Sequence, residues 1–221
     1  MRRPAPLVLA LALVLAGCGG ARERGTATLW VTRDRGAHVL YTGTVPAGLT
    51  AMQALERRAD VKTRYGGRFV QAIDRVEGDA SRQRDWFYFV YGIEADRGAA
   101  EYRLHAGDVE WWDYRSWKGR GMSVPVVVGA FPEPFLHGFL GKRRRAVVVG
   151  RSDAARKIAR LIHATGGSTR GANVFRIRPQ TGRFQATMST DGRVLFVIST
   201  ADAARLAANP KLARFHYEGL G

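Results

Sequence analysis

The chain carries five histidines, His38, His105, His137, His163 and His216, and no two of them stand three or four residues apart. No single turn or helical face therefore supplies a pair of imidazole ligands, and the histidines alone do not mark a metal centre. Asp108, Glu110 and Asp113 fall within six residues, and such groups can carry general acid–base chemistry. Asp108 follows Ala106-Gly107, however, which is turn composition. No G-x-S-x-G elbow accompanies the carboxylates. Gly166-Gly167-Ser168-Thr169-Arg170-Gly171 lacks the Lys-Ser/Thr pair of a phosphate loop and reads as an ordinary loop. An apolar run closing at Gly150 ahead of Ser152-Asp153 has the form of an anion-binding helix start. Asp153 occupies that end, and the further glycines of a dinucleotide fingerprint are missing. No nucleophile and base stand together, so we expect no enzyme. The residues left to do chemistry are aromatic, and their chemistry is binding.

Those aromatics concentrate in Trp86-Phe87-Tyr88-Phe89-Val90-Tyr91-Gly92 and in Trp111-Trp112-Asp113-Tyr114. Five aromatic residues and one β-branched residue closed by Gly read as a strand. Alternation puts Trp86, Tyr88 and Val90 on one face and Phe87, Phe89 and Tyr91 on the other. Tyr102-Arg103-Leu104, a turn at Ala106-Gly107-Asp108 and an extended run from Val109 to Tyr114 read as a hairpin-like partner. Only one face of such a sheet can meet a helix. The other, unless a second module covers it, presents rings with phenol and indole tips, the kind of patch that marks a binding site. The candidate ligand contacts are Trp86, Tyr88, Tyr91, Trp112 and Tyr114; the competing reading makes the same rings core and cross-strand partners.

The elements that must position these residues run from about 26 to 120. Thr26–Val31 and His38–Val45 are β-rich runs about a turn at Arg33-Asp34-Arg35-Gly36. Thr50 opens a helix with Met52, Leu55 and Ala59 on one face. Val61–Tyr65 and Phe69–Ile73 form a second strand pair about Gly66-Gly67, and Asp74–Asp85 is a polar loop. One helix across a mixed sheet in this order predicts an α+β, β-grasp-like module.

The strings Gly48-Leu49-Thr50-Ala51-Met52-Gln53-Ala54-Leu55, Phe69-Val70-Gln71-Ala72-Ile73-Asp74, Trp86–Gly92 and Tyr102–Tyr114 together resemble the bacterial transcobalamin-like domain family. That family is similar to the carboxy-terminal β domain of transcobalamin and intrinsic factor. The resemblance implies a corrinoid, cobalamin or a relative, as bound ligand. In the vitamin carriers this domain is one of two jaws, and the helical barrel that forms the other has no counterpart in this sequence. The family usually has Asn before the strand-closing Gly, where this chain has Tyr91.

Residues 1–17 combine Arg2 and Arg3 with an apolar run from Leu7 to Ala16, short of the ~20 residues that span a bilayer. They read as a signal peptide. Leu15-Ala16-Gly17-Cys18 resembles a lipobox, so Cys18, the single cysteine of the chain, is the expected lipidation site. Residues 18–25 are then a tether, and the expected location is the extracytoplasmic face of the cell membrane.

Residues 122–221 hold sixteen basic and five acidic side chains, most of the +16 excess of the whole chain. Apolar runs at Val124–Gly129 and Ala146–Gly150 read as covered strands. A capped helix from Ser152 or Asp153, strands near Val174–Ile177, Phe184–Met188 and Val194–Ile198, a helix over Ala201–Ala208 and a closing strand at Ala213–Tyr217 complete a second, small α/β or α+β domain. Aromatic and basic groups are not interleaved there, which argues against nucleic acid. The sequence thus predicts a lipid-anchored binding protein that presents an aromatic sheet to a ligand and hands it to a membrane transporter. The alternative is an envelope interaction or structural module that docks a protein partner or an anionic surface.

Overall fold

The computed structural model describes residues 24–139 and 142–221. The expected signal peptide, Cys18 and most of the tether lie outside the described residues. Among the described residues no helix is long and apolar enough to cross a membrane.

Strands β1 (Thr26–Arg33) and β2 (His38–Pro46) form an antiparallel hairpin. Its turn places Asp34, Arg35 and Gly36 at positive φ. Helix α1 (Ala51–Glu56) opens with a reciprocal cap: the Gln53 N–H donates to Thr50 Oγ1 at 3.1 Å, and the Thr50 N–H donates to Gln53 Oε1 at 3.0 Å. Strands β3 (Val61–Arg64), β4 (Phe69–Ile73) and β5 (Val76–Glu77) make a separate antiparallel sheet. The segment 74–85 is therefore not only loop: it contributes β5 and the first residues of the next strand. Strand β6 (Arg84–Val90) turns through Tyr91-Gly92 into β7 (Ile93–Glu94), and β8 (Val109–Ser116) runs antiparallel to β6 and parallel to β1. The order β2-β1-β8-β6-β7 puts the first and last strands side by side with α1 between them in sequence. This is the β-grasp-like arrangement that the element order predicts.

The expected hairpin of Tyr102–Leu104 with Val109–Tyr114 does not form. Both edges of β8 are taken by β1 and β6, so the 102–104 backbone pairs instead at the start of α1. The Ala51 N–H donates to Tyr102 O, and the Gly48 N–H to Leu104 O, each at 2.8 Å.

In the second half, α2 (Glu133–Leu136), β9 (Ala146–Val149), α3 (Asp153–Leu161), β10 (Asn173–Arg178), β11 (Gln185–Met188), β12 (Val194–Ser199) and α4 (Thr200–Ala208) build a four-stranded sheet of order β11-β12-β10-β9. Strand β10 is parallel to β9 and to β12. Ser152 and Ser199 cap the two longer helices. Phe131, Phe135, Phe175, Phe184 and Phe196 form the centre of this core, with ring centroids 4.9–6.4 Å apart. Two expected strands are absent. Val124–Gly129 makes one bridge, Val126 to Ile93, and then a 3-10 turn over Val128–Ala130. Ala213–Tyr217 is irregular because its aromatics plug a sheet face rather than extend a sheet edge.

That face belongs to the five-stranded sheet. One side, carrying Leu29, Val31, Trp86 and Trp112, takes α1 and Ile73. The other, carrying Trp30, Phe89 and Trp111, is sealed by Val127, Ala130 and Tyr217 of the second half. Tyr217 meets Phe89 and Trp111 edge-on at 5.5 and 5.6 Å.

Within this layer Asp113 is fully buried and accepts from four donors: Thr32 Oγ1 at 2.6 Å, Tyr217 Oη at 2.9 Å, and the Arg35 and Gly36 N–H groups at 3.1 Å each. Removing the carboxylate strands all four. Asp113→Ala is expected to lose ~3–5 kcal/mol of unfolding free energy, and Tyr217→Phe about 1–2 kcal/mol, both measured by urea denaturation. A loss below ~1 kcal/mol for Asp113→Ala would contradict the role given to this group.

Candidate functional site

The β6–β8 register sets Tyr88 opposite Trp112 and Trp86 opposite Tyr114 on the face that also carries α1. Tyr88 and Trp112 stack at 4.8 Å and 19°, and Trp86 and Tyr114 meet at 5.3 Å and 50°. Such cross-strand aromatic pairs stabilise the sheet whatever else they do. The polar tips are already committed. Trp86 Nε1 donates to Val76 O at 2.8 Å, Trp112 Nε1 to Glu110 Oε1 at 2.5 Å, and Tyr114 Oη to Glu77 O at 3.0 Å. The Tyr88 hydroxyl donates to Arg97 O and the Tyr91 hydroxyl to Asp108. Trp86 and Trp112 are buried and Tyr88 is half-buried, so only the ring surface that borders a cavity is open to a ligand, whereas the donors are already in use.

The faces are offered in a cavity of about 290 Å³ lined by Trp86, Tyr88 and Trp112, by Phe69 and Val70 of β4, and by Ala95, Gly98 and Ala99. Phe69 is 42% exposed and Tyr65 79% exposed, and the two rings meet edge-on across the hairpin tip. A second cavity of about 390 Å³ shares Glu94 and Ala95 with the first. Its walls are more polar: Tyr91 and Tyr102, the acids Glu94, Asp96 and Glu101, the bases Arg97 and Arg103, and His105 and His137. Tyr91 lies flat on the His137 imidazole, 3.9 Å away at 2°, so the second half closes one side of this cavity. Burial raises the phenol pKa values of Tyr88, Tyr91 and Tyr102, the last to about 12, and all three are neutral near pH 7. Glu94 lines both cavities. Its Oε2 accepts from Ser123 Oγ at 2.5 Å and from the Val124 N–H at 3.1 Å, and the buried Arg115 guanidinium lies 3.9 Å from its other oxygen.

The sequence-derived set is thus divided. Trp86, Tyr88 and Trp112 share the first cavity and Tyr91 lines the second. Tyr114 lines neither and lies under the Arg84 guanidinium at 4.9 Å. Phe69, Tyr65, Tyr102, Glu94 and His137 were not singled out from the sequence. Tyr65 and Phe69 flank Gly66-Gly67, and that spacing alone places two aromatics at an exposed hairpin tip. Nothing local announces His137, which reaches Tyr91 from 46 positions away. Among the described residues no three His, Cys, Asp or Glu side chains converge on a metal position.

Tyr91 also has a backbone role. It takes φ 56° ahead of Gly92 at φ 74°, a two-residue β-hairpin turn with both central residues left-handed. Asn-Gly is the favoured pair for that turn. The Asn usual in the family resembled therefore suits the turn itself, and here the stack on His137 and the bond to Asp108 hold a bulkier residue in the same conformation.

Residues 48–116 match a family model described as a domain of unknown function, DUF4430. No curated protein matches the chain. Among solved structures, the chain is similar to one described as a "putative metal binding protein" from Ruminococcus gnavus ATCC 29149, at 16% identity and a TM-score of 0.33, over 42% of this chain and 98% of that one. It is also similar to haptocorrin in complex with Cbi, at 14% identity and a TM-score of 0.35, over 42% of this chain and 26% of that one. The chain thus spans about a quarter of haptocorrin's length.

Below the first cavity's floor, Glu110 is fully buried with Oε2 unpartnered, and burial raises its pKa to about 8. The folded chain keeps this proton up to about pH 8, while the unfolded chain releases it near ~4.3. Stability is therefore highest below the unfolded value and falls as pH rises towards the folded one, by at most ~5 kcal/mol in total. Glu110→Gln is expected to flatten that slope in denaturation measured at pH 5 and pH 8. An unchanged slope would place its origin elsewhere.

Proposed function

We propose that this chain is a lipid-anchored, extracytoplasmic binding protein without catalytic activity, which holds a flat, largely apolar ligand with polar edge groups across the two joined cavities. The observation that carries this reading is the Tyr88–Trp112 stack as the floor of an open cavity walled by the exposed Phe69. An apolar floor beside a polar, mixed-charge annex suits a ligand with one flat face and hydrogen-bonding edges. A corrinoid, implied by the sequence resemblance, has that form: a planar macrocycle fringed with amides. Cavities of about 290 and 390 Å³ would clasp its edge and leave the rest open for a membrane transporter to receive. The anchor and location rest on residues 1–18 of the sequence.

The competing reading is a module that docks a protein partner through the same rings. A concavity under Phe69, rather than a flat patch, favours the carrier. The test uses residues 19–221, which contain every described element, titrated with cobalamin while tryptophan emission is followed with inner-filter correction. Saturable quenching is expected, and the double variant Phe69→Ala/Tyr88→Ala is expected to bind at least ~10-fold more weakly, the loss of about one stacking contact. Its melting transition should stay cooperative, lowered only by the loss of the Tyr88–Trp112 pair and of the Tyr88 hydroxyl bond to Arg97 O. Absence of quenching would remove the corrinoid, and a collapsed melting transition in the variant would return these rings to the core.

A further inference from the structure

The largest of the cavities described here lies in the other half of the molecule. It measures about 590 Å³ and sits at the carboxyl ends of the parallel strands β9, β10 and β12, closed by the loop 180–183. Its charged lining is Arg176, Arg178 and Arg183, and no carboxylate is among the lining residues. Arg176 and Arg178 make no side-chain hydrogen bond or ion pair among the described residues, and Arg176 Nε is buried without a partner. Arg183 is held at 3.3 Å by Glu218, in a contact exposed on both sides. Asp202, in the first turn of α4, is taken by Arg205 at 3.0 Å. Gln180, Thr181 and Gln185 add neutral hydrogen-bonding groups, and Val149 and Val197 add an apolar wall.

Arg178 is exposed, but a buried nitrogen without a partner, as Arg176 Nε is, costs free energy unless an anion or water satisfies it. Arg176 and Arg178, which share one face of β10 and have no partner, with neutral hydrogen-bonding groups beside them, match the oxygens of a phosphoryl group. The carboxyl edge of a parallel sheet is also where open α/β folds bind ligands. We infer that this cavity binds a phosphate ester, with Arg176 and Arg178 on the phosphoryl oxygens and the organic part against Val149 and Val197. The inference is independent of the aromatic cavities.

The phosphate could reach the cavity on a soluble ester or on a lipid headgroup, and the experiment has one arm for each. Residues 19–221 are titrated calorimetrically with glycerol 1-phosphate at constant ionic strength. They are also sedimented with vesicles of phosphatidylglycerol in phosphatidylcholine against vesicles of phosphatidylcholine alone. Saturable binding in the first arm identifies a soluble ester, and binding to the anionic vesicles alone identifies a headgroup. In whichever arm binds, Arg176→Gln/Arg178→Gln is expected to weaken binding at least 10-fold, whereas Arg156→Gln/Arg160→Gln, equal in charge but on α3, should leave it within twofold. Both variants should melt as the parent does. Equal losses in the two variants would reduce the effect to net charge, and no binding in either arm would overturn the inference.

Discussion

A carboxylate without solvent needs donors, and Asp113 draws its four from two distant stretches of chain: the end of β1 with its turn (Thr32, Arg35 and Gly36), and Tyr217. Trp111 Nε1 donates to Thr32 Oγ1 at 2.8 Å, and that hydroxyl donates to Asp113, so the network also fixes a ring in the middle of the sheet. Burial raises the carboxyl pKa and the four donors pull it back. In low dielectric such a network stabilises only when it is complete. Completing it brings the carboxy-terminal segment, 104 positions away in sequence, against the sheet. Tyr217 and Phe215 then cover Trp30, Phe89 and Trp111, and the two halves share one packed layer.

Sealing that face decides where a ligand could sit. The opposite face is covered at its centre by α1 and Ile73, which leaves the edge beyond β6, between the β3–β4 hairpin and the loop after β7. The first cavity lies there, and the second adjoins it at Glu94 and Ala95, between the loop after β7 and residues 137–139. The hairpin tip, with Gly66 and Gly67 at positive φ and Tyr65 and Phe69 exposed, has few buried contacts and belongs to the low-stability end of the fold, where binding loops are found. Glu94 ties this edge to the sealed layer. It accepts from the Ser123 hydroxyl and the Val124 N–H and lies close to Arg115, whose guanidinium rests on Phe87 at 3.6 Å.

Strands, caps and most turns were legible in the sequence because each depends on neighbours in the chain. Thr50 and Ser152 cap as their spacing demands, and the alternation along Trp86–Val90 sorts the two faces correctly. What was not legible depends on competition for edges and on distant partners. Tyr102–Leu104 and Ala213–Tyr217 have strand-like composition, but both edges of β8 are taken by β1 and β6, and Phe215 and Tyr217 pack on a sheet face, so the two segments serve as a brace and a plug. Val124–Gly129 has the composition of a covered strand, yet one bridge and a 3-10 turn suffice to bring Val127 and Ala130 onto the sealed face. Of the candidate site, the rings were legible. That their donors are spent internally was not, because Val76 O, Glu77 O and Arg97 O are backbone acceptors that no side-chain pattern reveals.

The basic surplus of the second half is likewise not one thing. Arg145 donates to the carbonyls of Gly166, Ser168 and Arg170, Arg144 reaches Asp191 O at 2.5 Å, and Arg205 reaches Gly221 O at 2.8 Å. These cations serve as clamps on irregular backbone, where a planar group with several donors satisfies carbonyls that no strand or helix can reach. An Arg-rich composition therefore need not signal an anionic partner. Arg176 and Arg178 differ in having no such carbonyl and no acid, although they stand beside each other on one face of β10 at the mouth of a cavity. Positive charge that closes no loop and pairs with no carboxylate is where the surplus acquires a direction.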